Sequence, residues 1–233
     1  MRVLFIGNSH SYFNDMPATF AELWKDEYDE PCDVTMLAYS ARSLEWHRKE
    51  YFAIRFNLMY GAYDICVIQQ QAHPFPGYDA TEKPLEAILQ LCSLNGTKPV
   101  LVETWAERAA PENQQVMRQA YETLAEKFGL TLVPVGRIWE HLRREHSEME
   151  LFWKDGEHAS VYGDYLIAVT LCAVLSGKPG HRYAARAHSF LRSGEFDLEQ
   201  PDLILSRELA EVDIPADIAG TVSEAVERFV FGE

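Results

Sequence analysis

The chain has 233 residues, 47% hydrophobic and 24% charged, with 13 Gly and 11 Pro, a composition that excludes disordered, collagen-like and coiled-coil chains and fits a single α/β domain with one sizeable core. Its 21 Lys and Arg stand against 36 Asp and Glu, a formal charge of −15 with histidine neutral. Nucleic acids and anionic membranes are held by clustered cations, so neither is expected as a partner.

The first apolar run, 2–7 (RVLFIG), reads as a buried strand and stops at Gly7-Asn8, too short for the core of a signal peptide. Nowhere does an apolar run approach the roughly 20 residues that span a bilayer. Residues 15–28 read as a helix, with Asn14 and Asp15 as N-caps and Pro17 tolerated in the first turn. A weaker strand follows at 33–38, then a helix at 43–59 and a strand at 64–69 (DICVIQ). Next come a helix at 81–94, a strand at 98–104, and a helix at 112–128 that ends at Gly129. A strand at 130–134 precedes a short helix at 136–146. The clearest helix starts near Ser160, places Tyr162, Tyr165, Leu166, Val169, Cys172, Ala173 and Ser176 on one stripe, and stops at Gly177 and Pro179. Residues 178–215 carry Lys178, Arg182, Arg186 and Arg192 with His181 and His188, then turn acidic. They read as a solvated extension over the sheet edge, with a cover near a ligand site as the other option, before a final helix at 216–230.

Short runs rich in Val, Ile and Leu alternate with helical segments, the pattern of βαβ units on a parallel sheet covered on both faces. Cys32, Cys66, Cys92 and Cys172 sit singly in apolar stretches without CxxC spacing. They read as small buried hydrophobes in a reducing, cytoplasmic compartment.

In an open parallel sheet, ligands gather outside the carboxyl ends of the strands. The first strand ends in Gly7-Asn8-Ser9-His10-Ser11, a tight turn that exposes a hydroxyl next to a helix start, and neither GxxxxGK[ST] nor GxGxxG is present. A serine nucleophile needs a base, and the base needs an orienter. Asp155-Gly156-Glu157-His158 supplies both: three-residue spacing in a turn lets the carboxylate reach the imidazole Nδ1–H. Alternatives stand beside this reading. Ser9 could simply cap its helix, Ser11 competes as nucleophile, Asn8 is expected to hold the turn, and His47 to play a structural role. His10, His73 and His158 lack the HxH or HExxH spacing of a metal site, and no metal or cofactor is expected. Trp46, Trp105 and Trp153 read as ordinary packing, with a sugar platform as the alternative.

The stretch VLFIGNSHSYFNDMP (3–17) resembles the first block of the SGNH hydrolases, also called GDSL-type esterases, and more closely a bacterial branch with Asn in place of the Asp of the GDS turn. FWKDGEHASVYGDYLIAVTLCAVLSGKP (152–179) is similar to the last block of that superfamily, and Ser43–His47 and Val67–Gln71 resemble its middle blocks. The resemblance spans 1–179. It implies a three-layer α/β/α, flavodoxin-like sandwich with a five-stranded parallel sheet in the order 2-1-3-4-5. It further implies Ser9 as nucleophile, His158 as general base and acid, and Asp155 as orienter. For the oxyanion hole it implies the N–H of Ser9, a backbone N–H from Ser40 or Ala41 where the family has glycine, and Gln71 where the family has Asn. The expected activity is hydrolysis of a small ester, acetyl or short acyl and perhaps on a carbohydrate. A silent carbohydrate-binding protein, or an acyltransferase or thioesterase, would share the same scaffold.

Overall fold

The computed structural model describes residues 1–180, 182–189 and 210–232. Five strands form one parallel sheet: β1 (Arg2–Gly7), β2 (Asp33–Ala38), β3 (Ile65–Gln69), β4 (Lys98–Val102) and β5 (Thr131–Val133), in the order β2-β1-β3-β4-β5. The expected order is thus the observed one. β1 lies between β2 and β3, with Ile6 opposite Leu37 on one side and Ile68 on the other. Strand order reverses there, and the carboxyl ends of β1 and β3 open a crevice between them.

Successive strand residues face opposite layers. Val3, Phe5, Val67, Val100 and Val102 join a core built with α2 (Met16–Tyr28), α7 (Val135–Glu145), α8 (Val161–Ser176) and α9 (Ala216–Phe231). Leu4, Ile6, Cys66, Ile68 and Leu101 join a second core with α3 (Leu44–Lys49), α4 (Tyr51–Gly61), α5 (Tyr78–Leu94) and α6 (Asn113–Phe128). The result is a three-layer sandwich. β2 forms although its sequence is weak, because as an edge strand it needs burial on fewer sides; only Leu37 in it is fully buried. The four cysteines are free thiols. Among the described residues, no helix is long and apolar enough to cross a membrane.

Three expectations change. The helix expected at 43–59 is two helices, broken at Glu50 (φ −80°, ψ 43°). α3 is pulled to the top of the sheet by polar bonds from Leu44 and His47, whereas α4 lies along the sheet through Ile54 and Leu58. The single stripe expected on α8 is also too narrow, since every residue from Gly163 to Ala173 is buried. Its outer face is covered by α2, α9 and a short antiparallel pair, β6 (Arg186–Ser189) with β7 (Ala210–Asp213). The described part of 178–215 is mixed: 178–180, Arg182 and Glu211 are exposed, as a solvated extension requires, whereas Tyr183, Ala187, His188 and Ser189 are buried, β6 packs on α2 and α8, and His188 N–H donates to Thr19 Oγ1 at 2.9 Å. His181 and Arg192 lie outside the described residues.

Candidate active site

The chain leaves β1 through a turn built by Asn8. Its side chain accepts from His10 N–H (3.1 Å) and donates to Arg42 O (3.1 Å), and Ser11 N–H donates to Asn8 O (2.9 Å). Asn8 thereby holds the turn, as expected, and it, not Ser9, caps α1 (Ser9–Tyr12). A Cβ at Gly7 would collide with the Ser11 hydroxyl and force it to turn away from Gln69. His47 is buried and donates from Nε2 to Gly7 O (2.7 Å), the structural role anticipated for it. Ser11 Oγ donates to Gln69 Oε1 (2.6 Å) in a buried pair, so it is committed to holding β1 against β3.

The second segment arrives 149 residues later. Trp153 N–H donates to His158 O (2.8 Å) and Ser160 N–H to Leu151 O (2.8 Å), closing a tight loop; Gly156 takes φ 77° at its tip, where glycine costs least. Arg108 N–H to Gly156 O (2.8 Å) and Trp105 Nε1–H to Glu157 O (2.9 Å) pin this loop to the end of β4. Within it, Asp155 Oδ1 accepts from the backbone N–H of Glu157 (2.9 Å) and His158 (3.0 Å). Asp155 Oδ2 accepts from His158 Nδ1 (2.7 Å), and His158 Nε2 lies 2.7 Å from Ser9 Oγ. Partial burial alone would raise the Asp155 carboxyl, but the two backbone donors and the imidazole outweigh it and hold the carboxyl below its ordinary range.

The imidazole of His158 is also flanked by rings. His10 and Phe13 each stack on it at 4.6 Å, with interplanar angles of 21° and 24°. His10 in turn meets His73 (4.9 Å) and Trp105 (5.3 Å). Burial first, then the neighbouring His158 and His73, push His10 well below its ordinary value. Burial and His158 likewise push His73 down to about 4. Neutral rings therefore surround His158.

Asn14 ties the two segments together from below. It sits at φ 46°, and its Nδ2 donates to Ala159 O (3.2 Å) and to Asp164 Oδ2 (2.7 Å). Asp15 follows at φ 58° in the N-cap position of α2 but makes no side-chain cap bond, so the expected capping gives way to this bridge. Asp164 is fully buried and its Oδ1 has no partner among the described residues; burial pushes its carboxyl well up. Nothing in the sequence singles out Phe13 or Asp164 for the site, and Asn14, expected as a helix cap, forms this bridge instead. The one legible signal of a buried polar contact was Asp164, a lone acid within an otherwise apolar helix.

Of the residues expected in an oxyanion hole, Ser40 and Ala41 form the turn after β2, closed by Arg42 N–H to Tyr39 O (3.1 Å), with Ala41 at φ 55°. Ser40 lies beside the Tyr12 hydroxyl, which brings this turn against α1. Gln70 is buried; its Oε1 accepts from Leu44 N–H and Gln71 N–H, and its Nε2 donates to Thr81 Oγ1. Gln71 is only partly buried, and its Nε2 donates to His73 O (3.2 Å), leaving a second N–H on that nitrogen. Trp105 is buried and stacked on Trp139 (4.3 Å, 7°), which removes it as a sugar platform. Trp46 lies against Tyr39 (4.7 Å) and Trp153 against Phe13 (5.8 Å), both half-buried. Among the described residues no three His, Cys, Asp or Glu side chains are grouped to hold a metal ion.

The chain matches no family model and no curated protein. Solved structures do resemble it. A DUF4886 family protein from Bacteroides uniformis superposes with TM-score 0.67 at 17% identity, over 99% of this chain and 95% of its own. A GDSL-like lipase candidate from Parabacteroides merdae gives 0.61 at 17% identity, over 76% and 96%. An acetylxylan esterase from Geobacillus stearothermophilus gives 0.60 at 14%, over 75% and 93%. The fold is that of the SGNH, or GDSL-type, hydrolases. In this chain Ser9 and the Asp155–His158 loop meet at the carboxyl edge of the sheet.

Proposed function

We propose that the chain is an SGNH hydrolase that cleaves small esters, with Ser9 as nucleophile, His158 as general base and acid, and Asp155 as orienter. The observation that carries this reading is the unbroken relay from Ser9 Oγ to His158 Nε2 and from His158 Nδ1 to Asp155 Oδ2, each step 2.7 Å. Asp155 fixes the proton on Nδ1, so Nε2 is free to take the Ser9 proton as Oγ attacks the ester carbonyl. The tetrahedral oxyanion is held by Ser9 N–H, a backbone N–H of Ser40 or Ala41, and the second N–H of Gln71 Nε2. The imidazolium gives its proton to the leaving alkoxide, which departs as the alcohol. Water, deprotonated by His158, then attacks the acyl-enzyme, and collapse returns Ser9 with release of the acid.

The preferred substrate is an acetyl or short acyl ester, and the structural likeness to an acetylxylan esterase favours an acetylated carbohydrate as the first compound to assay. A fluorophosphonate probe reports an activated serine hydroxyl directly. Wild type should be labelled and should turn over short-chain esters, and Ser9→Ala should do neither while keeping its fold. Labelling that survives in Ser9→Ala would place the nucleophile elsewhere.

A further inference from the structure

Helix α4, YFAIRFNLMYG, has Arg55 as its only charged residue and is apolar around its circumference. One face is satisfied: Ile54 and Leu58 are buried in the second core. The other face is uncovered, with Tyr51, Phe52, Phe56, Met59 and Tyr60 exposed, Phe52 at 67% and Tyr60 at 76%. A helix that is hydrophobic all round belongs inside a larger body than this one.

The exposed rings form a continuous surface. Phe52 stacks on Phe56 and Phe56 on Tyr60, each pair 6.0 Å apart with interplanar angles of 22° and 18°, and Tyr51 meets Phe52 edge-on at 5.5 Å. With a fully buried aromatic contributing 150–250 Å², these five side chains offer about 500 Å² of apolar surface. That is in the upper range of the largest patch on a typical monomer. Two such patches facing each other would remove about 1,000 Å² from water, the threshold for a specific interface.

We propose that this face is the interface of a homodimer in which two copies of α4 pack antiparallel about a two-fold axis passing beside Phe56. The ladder has the symmetry this requires: Phe52 and Tyr60 lie one turn to either side of Phe56, so Phe52 of each copy meets Tyr60 of the other. Charge permits the same occupant. A chain at −15 resists self-association wherever acidic surfaces meet. Residues 42–61, however, hold Arg42, Arg48, Lys49 and Arg55 against only Glu45 and Glu50. Arg48 and Lys49 are paired with Glu45, and Arg55 lies over the Phe56 ring. Two copies can approach on this face without acid opposing acid.

Sedimentation or light scattering on the full chain, across about 1–100 μM, spans the affinities expected of such an interface. Wild type should run at about twice the 26.7 kDa chain mass. Phe56→Glu puts two carboxylates at the axis and should weaken the dimer at least about 100-fold while circular dichroism stays unchanged. Should that variant not fold, Tyr60→Arg, at a more exposed position, carries the same expectation. A wild type that stays monomeric throughout overturns the proposal, as does a monomer that binds neutral phosphatidylcholine vesicles through this face. A dimer that survives the folded variants also overturns it.

Discussion

His158 is constrained at every side: Asp155 at Nδ1, Ser9 at Nε2, and the rings of His10 and Phe13 on its faces. In the proposed reaction the imidazole becomes charged only on the way to the transition state, so Asp155 acts there and not on substrate binding. Asp155→Asn should therefore lower kcat on the order of 10⁴-fold with KM little changed, as steady-state kinetics would show. A wild-type rate would remove Asp155 from the mechanism. Gln71 is the more demanding case. A Gln amide is one methylene longer than Asn and has more rotamer freedom to lose, yet its bond to His73 O already holds it. Gln71→Ala should then reduce kcat by about 10²–10³ at nearly constant KM. Unchanged turnover on every ester tested would send the search to Ser40 and Ala41. The Asp-x-x-His spacing was readable because it is local, three residues within one turn. The stacking of His10 and Phe13 was not, because it exists only once two distant segments meet.

Between β1 and α2 the chain turns twice through left-handed backbone, at Asn14 and Asp15, and this element carries a separable prediction. Asn14→Ala deletes both side-chain bonds, stranding the buried Asp164 carboxyl at a cost of about 1–3 kcal/mol. It also places Ala where a left-handed conformation costs about 1–2 kcal/mol. Asn14→Gly removes the bonds but not the conformational freedom. In urea denaturation Asn14→Gly should thus lose stability, and Asn14→Ala should lose about 1 kcal/mol more. Equal losses would mean the backbone at 14 is not under strain. The five strands were legible because a parallel strand buried on both faces reads as an unbroken apolar run. This turn was not: Asn14 and Asp15 look like ordinary caps, and their bridge depends on a carboxylate 150 residues away. The break at Glu50 was hidden for a related reason, since what bends the chain is a histidine reaching Gly7 O.

At the scale of the whole molecule, three buried histidines weaken the fold in acid. His10, His47 and His73 all lie below their ordinary value of 6.5, chiefly through burial, His73 at about 4. The unfolded chain takes up these protons near pH 6.5 while the folded chain resists, so it binds more protons and stability falls as pH drops below about 6.5. For His73 the loss continues down to about pH 4. The raised carboxyls of Asp15, Glu103 and Asp164 act with the opposite sign, weakening the fold as pH climbs past the ordinary carboxylate range. His73→Gln keeps a polar neutral group and removes one titration. Melting temperatures of this variant should decline less steeply than wild type between pH 6.5 and 4, and parallel slopes would assign the acid response to other groups.

The hydrogen bond between Ser9 and His158 joins positions 149 residues apart. During synthesis at about 5–20 residues per second, the proposed nucleophile would leave the ribosome roughly 10–30 s before its base exists. Asn14 must wait as long for Ala159 and Asp164, so no N-terminal fragment that stops before His158 can assemble the relay, and none that stops before Asp164 can complete the bridge beneath it. A nascent chain is for that interval a sheet with an inert serine at its edge. Activity, once it appears, reports that the last layer of the sandwich has closed.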